Sequence, residues 1–502
     1  MNPLKKLLGQ TAVYGLSTIV ARTANYLILT PLYTYVFRNQ AEFGINTEIY
    51  AYISFLNIVL TYGMETAFFN FYSKKENKTE VYSTALISLL VSSIFFLLVG
   101  FIFTGSIAAW MGYAGTELFI TWMLIIICSD ALMVIPFAKL RSENKAARFA
   151  IIKTANILIN IFFNIFFIVI CKNAHESNSD SVFANWYDPK IGIGYGFLSN
   201  LLANVLTLLL LYREYTGVKY TFNKKLWGEM MFYAAPLILV GLAGMINETF
   251  DRIILGKLLP PEIARKEVGI YGACYKLSII MTIFIQAFRF AAEPFFFNTA
   301  KDQDSKKTNA QVTKYFVIFC SIIFLGTMMN LDWIKYFISD SYWAGLSVVP
   351  ILLIANLFLG VYYNLSIWYK LTERTRFGAY LTIIGASLTL VINFTLIPVF
   401  SYKASAWATL ISYGSMMILS YYIGKKYYPI KYNVRSMSFF FLVALGLFLI
   451  SLTYKNSFGS EFKFVEVILN NILFAFFCWL FYKLEFPNLK SKNAHENENQ
   501  IS

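Results

Sequence analysis

Apolar runs of about 20 residues recur along the whole 502-residue chain, each long enough to cross a hydrocarbon core roughly 30 Å thick. Lipid offers the backbone no water, so repeated spans of this kind must be helices that satisfy their own N–H and C=O groups. An outer-membrane barrel would instead show alternating segments of about ten residues, and that pattern is absent. Composition points the same way: 58% of residues are hydrophobic and only 14% charged, where soluble proteins carry about a quarter. The expected fold is all-α, a polytopic inner-membrane protein with about 14 transmembrane helices. The spans are expected at 11–36, 44–70, 80–104, 117–138, 149–171, 191–212, 231–256, 268–296, 312–331, 343–369, 377–399, 404–424, 436–454 and 464–482.

The net charge of +14 invites a nucleic-acid reading, but the basic residues cluster in alternate short loops. With the N-terminus placed in the cytoplasm, 27 Lys and Arg fall in inside segments and 10 in outside ones. The positive-inside rule therefore puts both termini in the cytoplasm. The first span follows Lys5 and Lys6, carries Arg22 and lacks a small-residue cleavage site, so it is expected to be retained rather than removed as a signal peptide. External loops are short, and the longest, 172–190, has no catalytic pattern. The polar tail after Phe486 is expected to be disordered. Five cysteines without paired spacing and only two histidines argue against a disulfide framework, a metal centre or a histidine triad.

An internal repeat is visible. Span 1 leads through Glu42-Phe43-Gly44 into span 2, and span 7 leads through Glu267-Val268-Gly269 into span 8. Both helix pairs end in aromatic-rich segments followed by lysines. Six spans separate the copies, which implies two six-helix lobes related by an axis along the membrane normal. The division is an N-terminal lobe at 1–215, a C-terminal lobe at 216–425, two further helices at 426–485 and a tail at 486–502.

Ionised groups inside spans are costly and tend to face a cavity or a partner. Arg22 and Asp130 lie near the middle of their spans. Lys276 is deeper in helix 8 than snorkelling allows. Glu248, Asp251 and Arg252 share a face of helix 7 at i, i+3 and i+4, where a solvated cluster near the external end is the plainer explanation. Arg289 and Glu293, with Glu65 at the matching end of helix 2, suit an inward gate or an interfacial anchor. Helix 5 carries a stripe of Lys153, Asn156, Asn160 and Asn164, and helix 6 carries Asn200 and Asn204. Such amides bond sugar hydroxyls or neighbouring helices, packing being the commoner use.

The opening stretch GLSTIVARTANYLILTPLYTYVFRNQAEFG resembles that of polysaccharide-biosynthesis flippases in the multidrug/oligosaccharidyl-lipid/polysaccharide exporter superfamily. The second-lobe run is similar to that family's D-R-x-x-L-G … x-G-x-Y … P pattern: Asp251-Arg252-Ile253-Ile254-Leu255-Gly256, Val268-Gly269-Ile270-Tyr271, then Ala287 through Pro294. The resemblance covers roughly residues 1–425. It implies two six-helix lobes around a V-shaped central cavity. It also implies movement of an undecaprenyl-diphosphate-linked oligosaccharide from the cytoplasmic to the periplasmic leaflet by alternating access, for a surface polysaccharide such as the O-antigen of lipopolysaccharide. On that basis Arg22, Lys153, Arg252 and Lys276 would attract the diphosphate, with Asn156 and Asn160 as further substrate contacts. Asp130 or Glu65 would carry a coupling proton or sodium ion, and Asp251, Arg289 and Glu293 would join the coupling or gate groups. The expected partners are the lipid-linked glycan and membrane lipids, bound by a monomeric transporter without a cofactor. The alternatives are a cation-coupled multidrug exporter, or a membrane glycan polymerase or ligase, for which the chain lacks a large external loop.

Overall fold

The computed structural model describes residues 3–177, 181–216, 218–298, 304–457 and 463–485. Among these there is no β-strand, and seventeen long helices account for the architecture. The expected tail at 486–502 lies outside the described residues. The first lobe contains α1 (Pro3–Val36), α2 (Gln40–Thr61), α3 (Met64–Lys74), α4 (Lys78–Ile102), α5 (Thr104–Met111), α6 (Glu117–Ser142), α7 (Ala146–Ile165) and α8 (Gly194–Leu210). The second contains α9 (Lys224–Glu248), α10 (Phe250–Leu258), α11 (Pro261–Asn298), α12 (Ser305–Met329), α13 (Val349–Leu365), α14 (Arg376–Phe400) and α15 (Tyr402–Tyr427). Last come α16 (Val434–Ser457) and α17 (Lys463–Glu485), both packed on α12.

Among the described residues, eleven helices are long and apolar enough to cross a membrane, and Gly194–Leu210 is a shorter apolar one. With α1 and α15, 34 and 26 residues long, they make up the fourteen spans expected. Two expected spans are broken. Span 2 divides at Tyr62 and Gly63, both left-handed at φ 34° and 70°, a conformation that Gly63 adopts without strain. Span 7 divides at Thr249, whose φ of −134° interrupts the helix. Glu248 thus ends one helix while Asp251 and Arg252 open the next, and the three do not form a single i, i+3, i+4 face.

Helix packing repeats between the lobes. In the first, α1 packs on α7, α7 on α8, α8 on α6, and α6 on both α2 and α4. In the second, α9 packs on α14, α14 on α15, α15 on α13, and α13 on both α11 and α12. Between lobes the main contact is α2 against α11, flanked by α1 on α11 and by α2 and α3 on α9.

The Glu-x-Gly repeat sits at this central crossing. A Cβ on Gly44 would stand 1.9 Å from the Arg265 carbonyl oxygen, and one on Gly269 would stand 1.9 Å from the Gln40 carbonyl oxygen. Each glycine admits the residue one turn before its counterpart, the close backbone approach that small residues permit. Of the paired glutamates, Glu267 accepts a hydrogen bond from Ser401 between α14 and α15, and Glu42 lies beside Gly192.

Since successive spans reverse direction, the loops fall at two ends. The near end holds the start of α1 and the turns at 75–77, 142–145 and 371–375. The far end holds the connections at 37–39, 103–116 and 330–348. At the far end α11 is wrapped on all sides from Val268 to Cys274. Toward the near end Gln286, Ala287, Arg289 and Phe290 are exposed. Along α11 the lobes are therefore sealed at the far end and part toward the near end, whereas on the opposite side α3 and α4 still meet α9 there, with Lys75 paired to Glu229 at 3.4 Å and Trp227 donating to Ser88 at 2.8 Å.

Candidate functional site

The seam between α1 and α11 carries two intramembrane cations, Arg22 and Lys276, that have no ion pair among the described residues. Tyr26 donates a hydrogen bond to the Lys276 carbonyl at 2.9 Å, which fixes one face of α1 against α11. Arg22 lies one turn before Tyr26, on that same face, and its side chain is exposed. Among the described residues the Lys276 ammonium has no ion pair or hydrogen bond, and the charge that acts on it is the like charge of Arg252.

On the first-lobe side of this seam lies a polar network. Asn204 donates to Asp130 Oδ1 at 2.9 Å and to Ser129 Oγ at 3.0 Å. Asn156 donates to Thr207 at 2.9 Å and to Asn204 at 3.3 Å. Asn160 reaches Asn25 of α1 at 3.3 Å, Asn164 reaches Asn160, and Tyr33 donates to Asn164 at 2.5 Å. The amide stripe of α7 thus bonds α1 and α8, the packing use expected for most of it. Asn200 donates to Tyr50 at 3.0 Å. Lys153 stands 4.3 Å from the centre of the Phe137 ring and within electrostatic reach of Asp130 and Arg22.

Arg252 is placed differently from the other cations. It is 6% exposed and pairs with Asp251, 4% exposed, at 2.6 Å. It also donates to the Glu248 carbonyl at the helix break and lies 4.3 Å from the Tyr275 ring centre. Tyr271 completes the Asp251 shell at 2.7 Å. In place of the solvated cluster expected from the sequence, Asp251 and Arg252 form a buried pair that locks α10 to α11. The reason is tertiary: the break at Thr249 turns both side chains inward.

Glu65, Arg289 and Glu293 occupy two clusters, one in each lobe. Glu65 at the start of α3 pairs with Arg141 at the end of α6. Glu293 pairs with Lys370 and, at 3.5 Å, with Arg289, which stacks 4.6 Å from the Tyr363 ring centre. The second cluster lines a shallow cleft with Phe288, Phe316, Tyr363 and Asn364. No bond among those described joins the two clusters into the single gate envisaged. Arg141 and Lys370 pass for ordinary loop cations in the sequence, because only the packing of α3 on α6, and of α11 on the short helix Ile367–Leu371 after α13, brings them to the carboxylates.

Several comparisons bear on this arrangement. A family model described as polysaccharide biosynthesis protein matches residues 7–300. No curated protein matches the chain. Among solved structures, the chain is similar to the lipid II flippase MurJ in an inward closed conformation, with TM-score 0.70 and 13% identity, covering 94% of this chain and 98% of that one. It is similar to an inward-facing multidrug resistance MATE family transporter of the MOP superfamily, with TM-score 0.60 and 12% identity over 83% and 94% of the two chains. It is also similar to the MATE multidrug transporter DinF-BH, with TM-score 0.59 and 16% identity over 85% and 96%. At these identities the likenesses establish the fold alone: an all-helical multi-pass membrane architecture of two six-helix lobes with two additional helices.

Proposed function

The chain belongs to the polysaccharide biosynthesis protein family, and from that premise we propose that it moves a lipid-linked, diphosphate-bearing oligosaccharide from the cytoplasmic to the periplasmic leaflet by alternating access. The observation that carries the reading is a pair of cations without an ion pair among the described residues, Arg22 and Lys276, on facing helices at the α1–α11 seam. A cation without a carboxylate is costly in a membrane protein and is suited to a ligand that brings its own negative charge. A diphosphate accepts charge-assisted hydrogen bonds from both. Its polyprenyl chain stays in lipid while the glycan passes between the lobes, so the process needs no covalent step. The loop charges support placing the near end in the cytoplasm of a bacterial inner membrane. Asp130, held by Asn204 and within reach of Lys153, is our candidate for the coupling proton or sodium ion.

The test is translocation of an undecaprenyl-diphosphate-linked oligosaccharide by the purified chain in proteoliposomes. Arg22→Ala and Lys276→Ala are each expected to slow it, and unchanged transport in both variants would remove the cationic-seam argument. A second reading, a cation-coupled multidrug exporter, draws on the likeness to the MATE transporters. Extrusion of organic cations by the same vesicles, with no movement of the lipid-linked glycan, would favour it.

A further inference from the structure

Two cations of the second lobe hold down the 103–116 connection of the first. Lys257 donates to the Trp110 carbonyl and stands 4.2 Å from the Trp110 ring centre. Arg265 donates to the Gly112 carbonyl and lies 4.5 Å from the Tyr113 ring centre. Beneath them is Glu48 of α2, only 3% exposed, which accepts a hydrogen bond from Tyr113 at 2.8 Å. Both cations act on this carboxylate. The fit is close: a Cβ on Gly256 of α10 would stand 2.8 Å from Glu48 Oε1.

A second set of contacts mirrors the first across the axis between the lobes. Gln40 donates to the Ser341 carbonyl at 2.7 Å, Tyr342 to the Phe37 carbonyl at 2.5 Å and Tyr35 to the Tyr336 carbonyl at 2.8 Å. Gln40 precedes Gly44 by one turn, as Arg265 precedes Gly269. Each lobe thus sends a side chain from just before its crossing glycine to a loop carbonyl of the other lobe. One latch is charged and the other is neutral.

We propose that these two latches are the far-end gate, and that Glu48, Lys257 and Arg265 set how readily it opens. The inference rests on the transport reading only in requiring the lobes to separate at this end. With both cations in place, the desolvation of the Glu48 carboxylate is offset across the interface. Without them the closed state buries a carboxylate supported by a tyrosine hydroxyl alone, which disfavours closure. The cations lie near the surface, so salt weakens the charged latch and leaves the neutral one largely untouched.

Hydrogen exchange on the reconstituted full chain tests this directly. In the Lys257→Gln/Arg265→Gln double variant, amides of residues 104–116 are expected to exchange about tenfold faster than in the parent chain. Raising the salt concentration is expected to speed exchange in the parent and to have little effect in the variant. Glu48→Gln, which keeps the Tyr113 hydrogen bond, is expected to shift exchange in the same direction. A second measurement uses Val268→Cys, a buried position one turn beyond Arg265, with the five native cysteines replaced. A membrane-impermeant maleimide is expected to label it slowly with the latch intact and about tenfold faster without it. Equal exchange and equal labelling with and without the latch would overturn the proposal. Arg22→Ala, expected to slow glycan transport, should keep the parent exchange at 104–116. A latch variant that opens faster in vesicles that move no lipid-linked glycan keeps the gate and discards that substrate.

Discussion

At the scale of single residues, the same charge type plays opposite parts according to its partners. Arg252 and Lys276 are both cations within one bundle, yet Arg252 has Asp251 at 2.6 Å and Lys276 has no such partner among the described residues. Asp251→Asn leaves a buried guanidinium uncompensated and should destabilise the fold by about 3–5 kcal/mol. Thermal unfolding in detergent measures this, and an Asp251→Asn/Arg252→Met double change should recover part of the loss. Lys276→Ala should leave the melting temperature nearly unchanged while slowing glycan translocation about ten- to a hundredfold, the worth of a charge-assisted hydrogen bond of roughly 1.5–3 kcal/mol. The sequence is enough to single out both residues as intramembrane charges. It does not separate them, because pairing depends on a helix break and a neighbouring helix rather than on spacing along one helix.

At the scale of elements, the α2–α11 crossing concentrates the constraint. Gly44→Ala and Gly269→Ala would each drive a methyl group into a backbone carbonyl, which cannot rotate away as a side chain does. Each should cost about 1–3 kcal/mol by overpacking, read as a lower melting temperature, and combining them should cost less than the sum since both act on one contact. The break at Gly63 is milder: Gly63→Ala places a Cβ at φ 70° and should cost about 1 kcal/mol or somewhat more. The Glu42-Phe43-Gly44 and Glu267-Val268-Gly269 repeat is legible in the chain as a pattern. What it accomplishes, a glycine crossing in which each backbone admits the other, is visible only when the two copies meet.

At the scale of the whole molecule, the near-end clusters Glu65–Arg141 and Glu293–Lys370 staple α3 to α6, and α11 to the short helix Ile367–Leu371 after α13, each within its own lobe. Exchanging Glu293 and Lys370 should therefore retain the folded state better than Glu293→Lys alone, as judged by monodisperse yield after extraction. The sequence by itself determines the membrane class, the fourteen spans and the likeness between lobes. These follow from the length of apolar runs and a repeated motif, both local properties of the chain. The tertiary structure decides which charges are paired, where spans 2 and 7 break and which end of the molecule is sealed. Those outcomes depend on contacts between segments more than a hundred residues apart, such as Gln40 with Ser341 or Arg265 with Gly112. Hydropathy carries no record of them, because in lipid the side chains that pack one helix on another are as apolar as those that face the bilayer.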